Sequence, residues 1–452
     1  MAKHATSLDA LRKSKRDLSS LVSEYMGYLD DARTPTLAVR AAEEMLKKNG
    51  FVKYDPDKHM HSKTYFIDRN CVNIAAVVSG RKAVADGLNI AGAHVDFCTL
   101  TNKVVSAVEK SDGVYLDTRP YGGFYPHQWM DRPLTIIGET LVKNDDKREL
   151  VEWRMHGNIP EPTIHNPKGY TEKSYKDAFQ LENLDVFTGY MKIKDFLSAL
   201  NRKLSRKDLK ITIDDFNSGF NHFHVTPSEK TLRLGDYIVG YGHDDRSCMF
   251  ATLKALTMIG EPEYTSIALG VAREEIGSTS VGSANDVFLE NVIKALIKAN
   301  YSKPDISDIY SRSVMLSADV DIAFTPQNSD VSDKNNCSKF GDGAVIVIAN
   351  GSNGNPTGNI VMPNDLYYIE RFLGKRDLAY QVSALPSKVG IGGGGGTIAK
   401  YYSEKGILTA DLGIPVGNMH GTTSRIFAAD LDSTVEAFIA LYERGEERKQ
   451  WG

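Results

Sequence analysis

DYIVGYGHDDRSCMFATLKALTMIGEPEYTSIALGVAREEIGS, residues 236–278, reads as a strand, a helix and a second strand. DYIVGY is a short apolar run. SCMFATLKALTMIG repeats its apolar positions at helical spacing and predicts an amphipathic helix. TSIALGVA is apolar almost without interruption, as a strand covered on both faces should be. Each strand-like run ends on charge, at His243-Asp244-Asp245 in one case and Glu274-Glu275 in the other. In open α/β sheets, ligands gather beyond the carboxyl ends of strands.

The same pattern extends in both directions. Residues 7–48 read as helical, with Thr34-Pro35 as a cap and a first-turn proline, and with Gly50 as the stop. KTYFIDRN, CVNIAAVVSG and GLNIAGAHVDF follow as strands. Downstream, VFLENVIKALIKANY reads as a helix, and SVMLSADVDIAF, AVIVIANG and GILTADLGIP as further strands. Strands alternating with helices predict an α/β fold with a mostly parallel sheet flanked by helices. Between 100 and 236 the character changes. KVVSAVEKSDGVYLDTR and PLTIIGETLV alternate like antiparallel strands, and FTGYMKIKDFLSALNRKL reads as a helix. The expected organisation is one domain from 1–99 and 237–452, interrupted by a mainly β insertion at 100–236. IGGGGGT, residues 391–397, lacks the GK[ST] ending of a phosphate loop and leaves Gly392–Gly396 without an assigned role.

Bulk composition narrows the function. The chain has 452 residues, 41% of them hydrophobic and 25% charged, with a formal net charge of −4. That balance gives no electrostatic reason to expect nucleic acid. No apolar run approaches the ~20 residues that span a bilayer. The basic start MAKHATSLDALRKSKRDLSS has no apolar core of the kind a secretory signal needs, so a cytoplasmic protein is expected. Cys71, Cys98, Cys248 and Cys337 stand far apart and read as buried free thiols of a reducing compartment. A metal bound here must be held by carboxylates and histidines.

Five segments place such side chains just after strand-like runs: NIAGAHVDF, DYIVGYGHDDRS, SIALGVAREEIGS, SVMLSADVD and IPVGNMHG. His94 and Asp96, two apart on a strand, project to the same side, so Asp96 can orient the imidazole while its other nitrogen binds metal. Asp244 can bridge two ions, although by itself Asp244-Asp245 also reads as a helix N-cap. Glu274 and Glu275 diverge as neighbours, one free to act as a base and the other a ligand. Asp319 and His420 complete the count. His94 with Asp319, Glu275 with His420, and Asp244 shared would hold two ions about 3.5–4 Å apart. Three protein donors per ion leave a position open for water, and the donor types suit zinc, with manganese or cobalt as alternatives.

At these residues the sequence resembles the aspartyl aminopeptidase and aminopeptidase I family of zinc metallopeptidases, over most of its length. AGAHVDF resembles the family's AHTDSP, and YGGFYPHQWMDRPLTIIG its GGG-WxTWFDRDLxLAG. HDDRS resembles LDN, AREEIGS resembles HEEVGS, SADVDIAFTP resembles SADMAHAxHP, and MHG resembles MHS. The order and long spacings fit as well. The resemblance implies an aminopeptidase acting on peptides with a free N-terminus, with two zinc ions per subunit. It puts His94, Asp244, Glu275, Asp319 and His420 on metal positions, Glu274 on the general base and Asp96 behind the first histidine. It further implies an inserted dimerisation domain, a tetrahedral homododecamer built from dimers, and a histidine lent by a neighbouring subunit. IPEPTIH nominates His165 for that role. The Asp244–Asp245 peptide is expected to be cis.

Departures from the family pattern occur at Val95, Phe97, Cys98, Ile322 and Ser424, and are expected to fall on the substrate pocket. The acidic or neutral preference for the N-terminal residue stays open. Rival readings are a related two-zinc deblocking aminopeptidase or deacylase, and a shell-forming protein that kept the fold without catalysis. The second would need a lost ligand or base, and none is lost.

Overall fold

The computed structural model describes residues 6–445 except 15, 164, 166–171, 301–302, 353–354, 377 and 385–395. The glycine run therefore lies outside the described residues up to Gly395. The chain forms two compact units, one of Met1–Phe97, Thr231–Met419 and Thr423–Gly452, the other of Cys98–Lys230 and His420–Thr422.

The first unit is built on a nine-stranded mixed sheet. Its centre is parallel: Ser266–Val271, Asn89–His94, Val314–Ser317 and Leu408–Gly413 lie side by side in that order. Antiparallel pairs flank this centre, with Ile74–Val78 on one side and Ala344–Val347 on the other. Each central strand is buried on both faces, which explains the near-continuous apolar runs. Ala91, Ala268 and Leu316 enter one core with Leu253, Leu256, Val435 and Phe438 from the helices His243–Met258 and Ala428–Tyr442. Ile90, Ile267, Leu269 and Met315 enter another with Leu289, Val292 and Ile293 from the helix Phe288–Ala299.

Three sequence expectations change here. The helix His243–Met258 is buried on almost every side rather than amphipathic, because the helix Ala428–Tyr442 covers the face that would meet water. The strand Tyr237–Gly240 leaves the parallel sheet and joins a five-stranded one, between Leu232–Leu234 and Ser424–Phe427. SVMLSADVDIAF is two strands, not one. Val314–Ser317 belongs to the large sheet and Asp321–Ile322 to the small one. Asp319 stands at the break.

Local signals at the helical start are kept. The Thr34 hydroxyl accepts the Leu37 amide at 3.2 Å, Pro35 opens the helix Pro35–Lys48, and Gly50 follows it at φ +81°.

The second unit carries a six-stranded antiparallel sheet in the order Lys147–Gly157, Leu134–Asn144, Asn221–Pro227, Thr99–Lys110, Gly113–Tyr121 and Val186–Phe187. Trp153 and Phe223 of the sheet pack against Phe216, which in turn meets Phe196 of the helix Ile193–Arg202 edge-on. That helix is shorter than FTGYMKIKDFLSALNRKL suggests: Phe187 ends an edge strand, and Gly189 at φ +78° turns the chain.

All four cysteines are free, and Cys71 is exposed rather than buried. No helix among the described residues is long and apolar enough to cross a membrane.

Candidate metal centre

The carboxyl ends of the parallel strands and the start of the helix His243–Met258 bring the acidic residues of the first unit together. His94 closes the strand Asn89–His94, and its imidazole is buried. Its Nε2 lies 3.1 Å from Asp244 Oδ1 and 4.0 Å from Asp319 Oδ1. Its Nδ1 faces the Asp96 backbone carbonyl at 3.1 Å and the Asp96 carboxylate at 3.4 Å. Two triplets of metal-ligating atoms lie within 4.8 Å of one another in this unit: His94, Asp244 and Glu275, and His94, Asp245 and Asp319.

Asp96 does more than face the histidine. Its Oδ1 accepts the Glu274 amide and its Oδ2 the Glu275 amide, each at 3.2 Å. The Glu274-Glu275 turn is framed by Arg273 at φ +68° and Gly277 at φ +89°, and the Gly277 amide closes it by donating to the Glu274 carbonyl at 2.8 Å. Two adjacent carboxylates are thus fixed by one buried aspartate from a different strand end.

Asp244 and Asp245 share a cis peptide, as the resemblance implies. Neither has helical backbone angles, so the regular helix begins at Arg246 and the pair is not a simple N-cap. Asp245, which the sequence left without a role, is fully buried and accepts the His94 amide at 3.1 Å. Arg246 was also missed. Its buried guanidinium stacks 3.9 Å from the Phe97 ring centre and donates to the carbonyls of Gly242, Tyr241 and Ala32. It thereby ties this turn to the end of the helix Ser19–Asp31. A side chain at Gly242, which sits at φ +79°, would collide with that guanidinium. Gly413 is needed for a similar reason, since a Cβ there would overlap the Asp319 carbonyl.

The departures at Val95 and Phe97 are buried. Val95 is a core residue beside the Asn89–His94 strand end, and Phe97 is buried under Arg246 and Tyr241. Ser424 is likewise buried and donates to the Gly240 carbonyl at 3.2 Å. Only Ile322 keeps partial exposure.

The remaining two site residues lie on the second unit. His420 has a left-handed backbone, φ +60°, and its Nδ1 lies 2.8 Å from the Gly123 carbonyl. Donation from Nδ1 makes Nε2 the nitrogen that carries the lone pair. His165 is exposed, and its neighbours at 164 and 166–171 are outside the described residues.

Electrostatically, the first-unit cluster has more negative charge than it can hold alone. Burial and the repulsion of Asp245 and Asp244 push Asp319 well above the ordinary carboxylate value. Asp245 moves the same way, through burial and Asp244. Glu274 is raised to about 8 by burial, reinforced by Glu275, Asp96 and Asp244 and opposed by His94. Burial draws His94 down, but Asp244, Asp96, Asp245 and Asp319 outweigh it and hold the ring well above its usual value. Like charges packed this closely need protons or a cation. Carboxylate oxygens around an imidazole are the donor set of zinc, manganese and cobalt, so the residues fit a divalent metal.

Comparisons with known proteins agree with this chemistry. A family model described as aminopeptidase I zinc metalloprotease (M18) matches residues 28–442. A probable M18 family aminopeptidase 1 of Borreliella afzelii is 28% identical over 451 residues, covering 95% of this chain and 97% of its own length. The crystal structure of an M18 family aminopeptidase from Thermotoga maritima superposes with a TM-score of 0.88 at 26% identity, over 98% of this chain and 100% of that one. The Saccharomyces cerevisiae mApe1 dodecamer shares the fold with a TM-score of 0.73 at 20% identity, over 94% and 96% of the two chains. With a match that runs through every strand end described above, this chain belongs to the aminopeptidase I zinc metalloprotease (M18) family and is an M18 aminopeptidase, a hydrolase.

Proposed function

We propose that the enzyme removes N-terminal residues from peptides with two divalent ions and with Glu274 as general base. The observation that carries this is the pair of overlapping triplets around His94, with Glu274 held beside them by Asp96. His94 with Asp319, and Glu275 with His420, would each hold one ion, and Asp244 would be shared. The His420 and pairing assignments rest on the family resemblance. When bound, the metals act as Lewis acids toward the scissile carbonyl and make water more acidic. Glu274 takes a proton from the attacking water and returns it to the leaving amine. Asp96 holds His94 in one tautomer and fixes the direction of the Glu274 and Glu275 side chains. His165, supplied by a neighbouring subunit, donates toward the developing oxyanion. The carboxylates around the site receive the substrate's α-ammonium group, which makes the enzyme an exopeptidase.

We assign the second unit to dimerisation and the whole to a tetrahedral dodecamer in the cytoplasm. The solved mApe1 dodecamer of similar fold supports that assembly. Zinc is the expected metal, from the family and the donor set.

Glu274→Gln tests the base. Hydrolysis of aminoacyl-p-nitroanilides should fall by roughly 10²–10⁴-fold while the zinc content stays unchanged. Near-normal turnover in that variant would reject Glu274 as the base. Asp244→Ala should instead lose metal, as read by elemental analysis. A panel of aminoacyl substrates run with zinc, manganese and cobalt in turn gives the N-terminal preference.

A further inference from the structure

We infer that Tyr25 is a positioning residue of the metal centre, holding the Asp244 turn from the helix Ser19–Asp31 through a buried hydrogen bond to His243. The Tyr25 hydroxyl lies 2.5 Å from His243 Nδ1, and both residues are fully buried. His243 directly precedes Asp244, whose Oδ1 stands 3.1 Å from His94 Nε2. At the place of His243 the family motif LDN has a leucine, an aliphatic side chain that makes no such bond. The bond is an addition of this sequence to that motif.

The helix is fixed firmly enough to serve as an anchor. Tyr25 and Tyr28 pack on Phe250 with ring centres 5.2 and 5.6 Å away, and Val22 and Leu29 complete the buried face. Asp30 Oδ1 accepts the Thr231 amide and hydroxyl at 2.9 and 2.8 Å. On the side of the turn, the Ser247 hydroxyl donates to the His243 carbonyl at 2.7 Å, and Arg246 donates to the Ala32 carbonyl just past the helix. The turn is thus held at His243 from within the helix and at Arg246 from its end. Asp244 and Asp245 have non-helical backbone angles, so regular helix bonding does not fix them and side-chain ties must. A turn already held in place loses less freedom when an ion binds. Docking of the helix and binding of the ion therefore strengthen each other. The inference rests on the reading of Asp244 as a ligand.

Zinc affinity of the full-length protein, measured by competition with a chelator, tests it. Tyr25→Phe keeps the ring on Phe250 and removes only the hydroxyl. Affinity should fall roughly 3–10-fold, less than the ~10–100-fold expected of a group that touches a ligand itself. In a His243→Leu background the same substitution should change nothing further, because the bond is already gone. A tyrosine that only packs would shift unfolding and leave zinc affinity alone, and that result would overturn the inference. An equal loss with and without His243 would overturn it as well. Asp244→Ala separates the two readings. Zinc retained there removes Asp244 from the ligands and the inference with it. Zinc lost there but unmoved by Tyr25→Phe removes the role of Tyr25 alone.

Discussion

At the scale of single residues, the site is governed by which side chain fixes which. Asp96 binds two amides 178 and 179 positions away along the chain, those of Glu274 and Glu275. Asp96→Asn keeps the shape but turns one acceptor into a donor facing an amide N–H. Zinc affinity should drop by roughly 10–100-fold, the usual effect of losing a group that orients ligands. Competition with a chelator measures it, and an unchanged affinity would show that Asp96 is only packing. The sequence makes Asp96 legible as the residue behind His94, because the two share a strand face. Its hold on the Glu274-Glu275 turn is a long-range contact that no local pattern encodes. Asp245 and Arg246 were illegible for the same reason. The first stands beside Asp244 and the second begins a helix, and neither position signals its long-range contacts. Val95 and Phe97 are buried, which the sequence alone did not reveal.

Among elements, caps and buried strands were readable and sheet membership was not. Thr34 caps the helix Pro35–Lys48 through its hydroxyl, so Thr34→Ala should cost about 1 kcal/mol in urea unfolding. A loss below a few tenths would mean that Pro35 alone sets the helix start. TSIALGVA and GLNIAGAHVDF announced their burial by composition, and both lie at the sheet centre. SVMLSADVDIAF gave no sign that it divides at Asp319, because both halves are equally apolar. What separates them is pairing: Val314–Ser317 with Leu408–Gly413, and Asp321–Ile322 with Pro415–Gly417. Register with a distant strand is decided by the assembled sheet.

For the molecule as a whole, the first unit is closed by a buried carboxylate that joins its extremes. Asp430, in the first turn of the helix Ala428–Tyr442, accepts the Ser7 hydroxyl at 2.7 Å and the amides of Gly341 and Gly343 at 2.8 and 2.9 Å. Burial raises it to about 7, against the pull of those donors. The folded chain therefore holds this proton more tightly than the unfolded chain, where an aspartate titrates near ~4. The contribution to stability is full below that unfolded value and fades as pH rises through about 7. Asp430→Asn carries no such titration. Its melting temperature should decline less between pH 5.5 and 8.5 than that of the wild type. Parallel profiles would remove Asp430 from the acid dependence.

The grip of Asp96 also has a consequence in time. The turn at Glu274–Ile276 is half-exposed, with Ile276 45% accessible, and such backbone ordinarily trades its amide protons with solvent quickly. Here two consecutive amides end on a carboxylate that is fully buried. Deuterium uptake should therefore be slow at Glu274 and Glu275 and fast at Ile276. In Asp96→Asn the first two should join the third. The same clamp keeps the proposed base and its neighbouring proposed ligand from drifting, so what reads as geometry in a static structure is persistence in time.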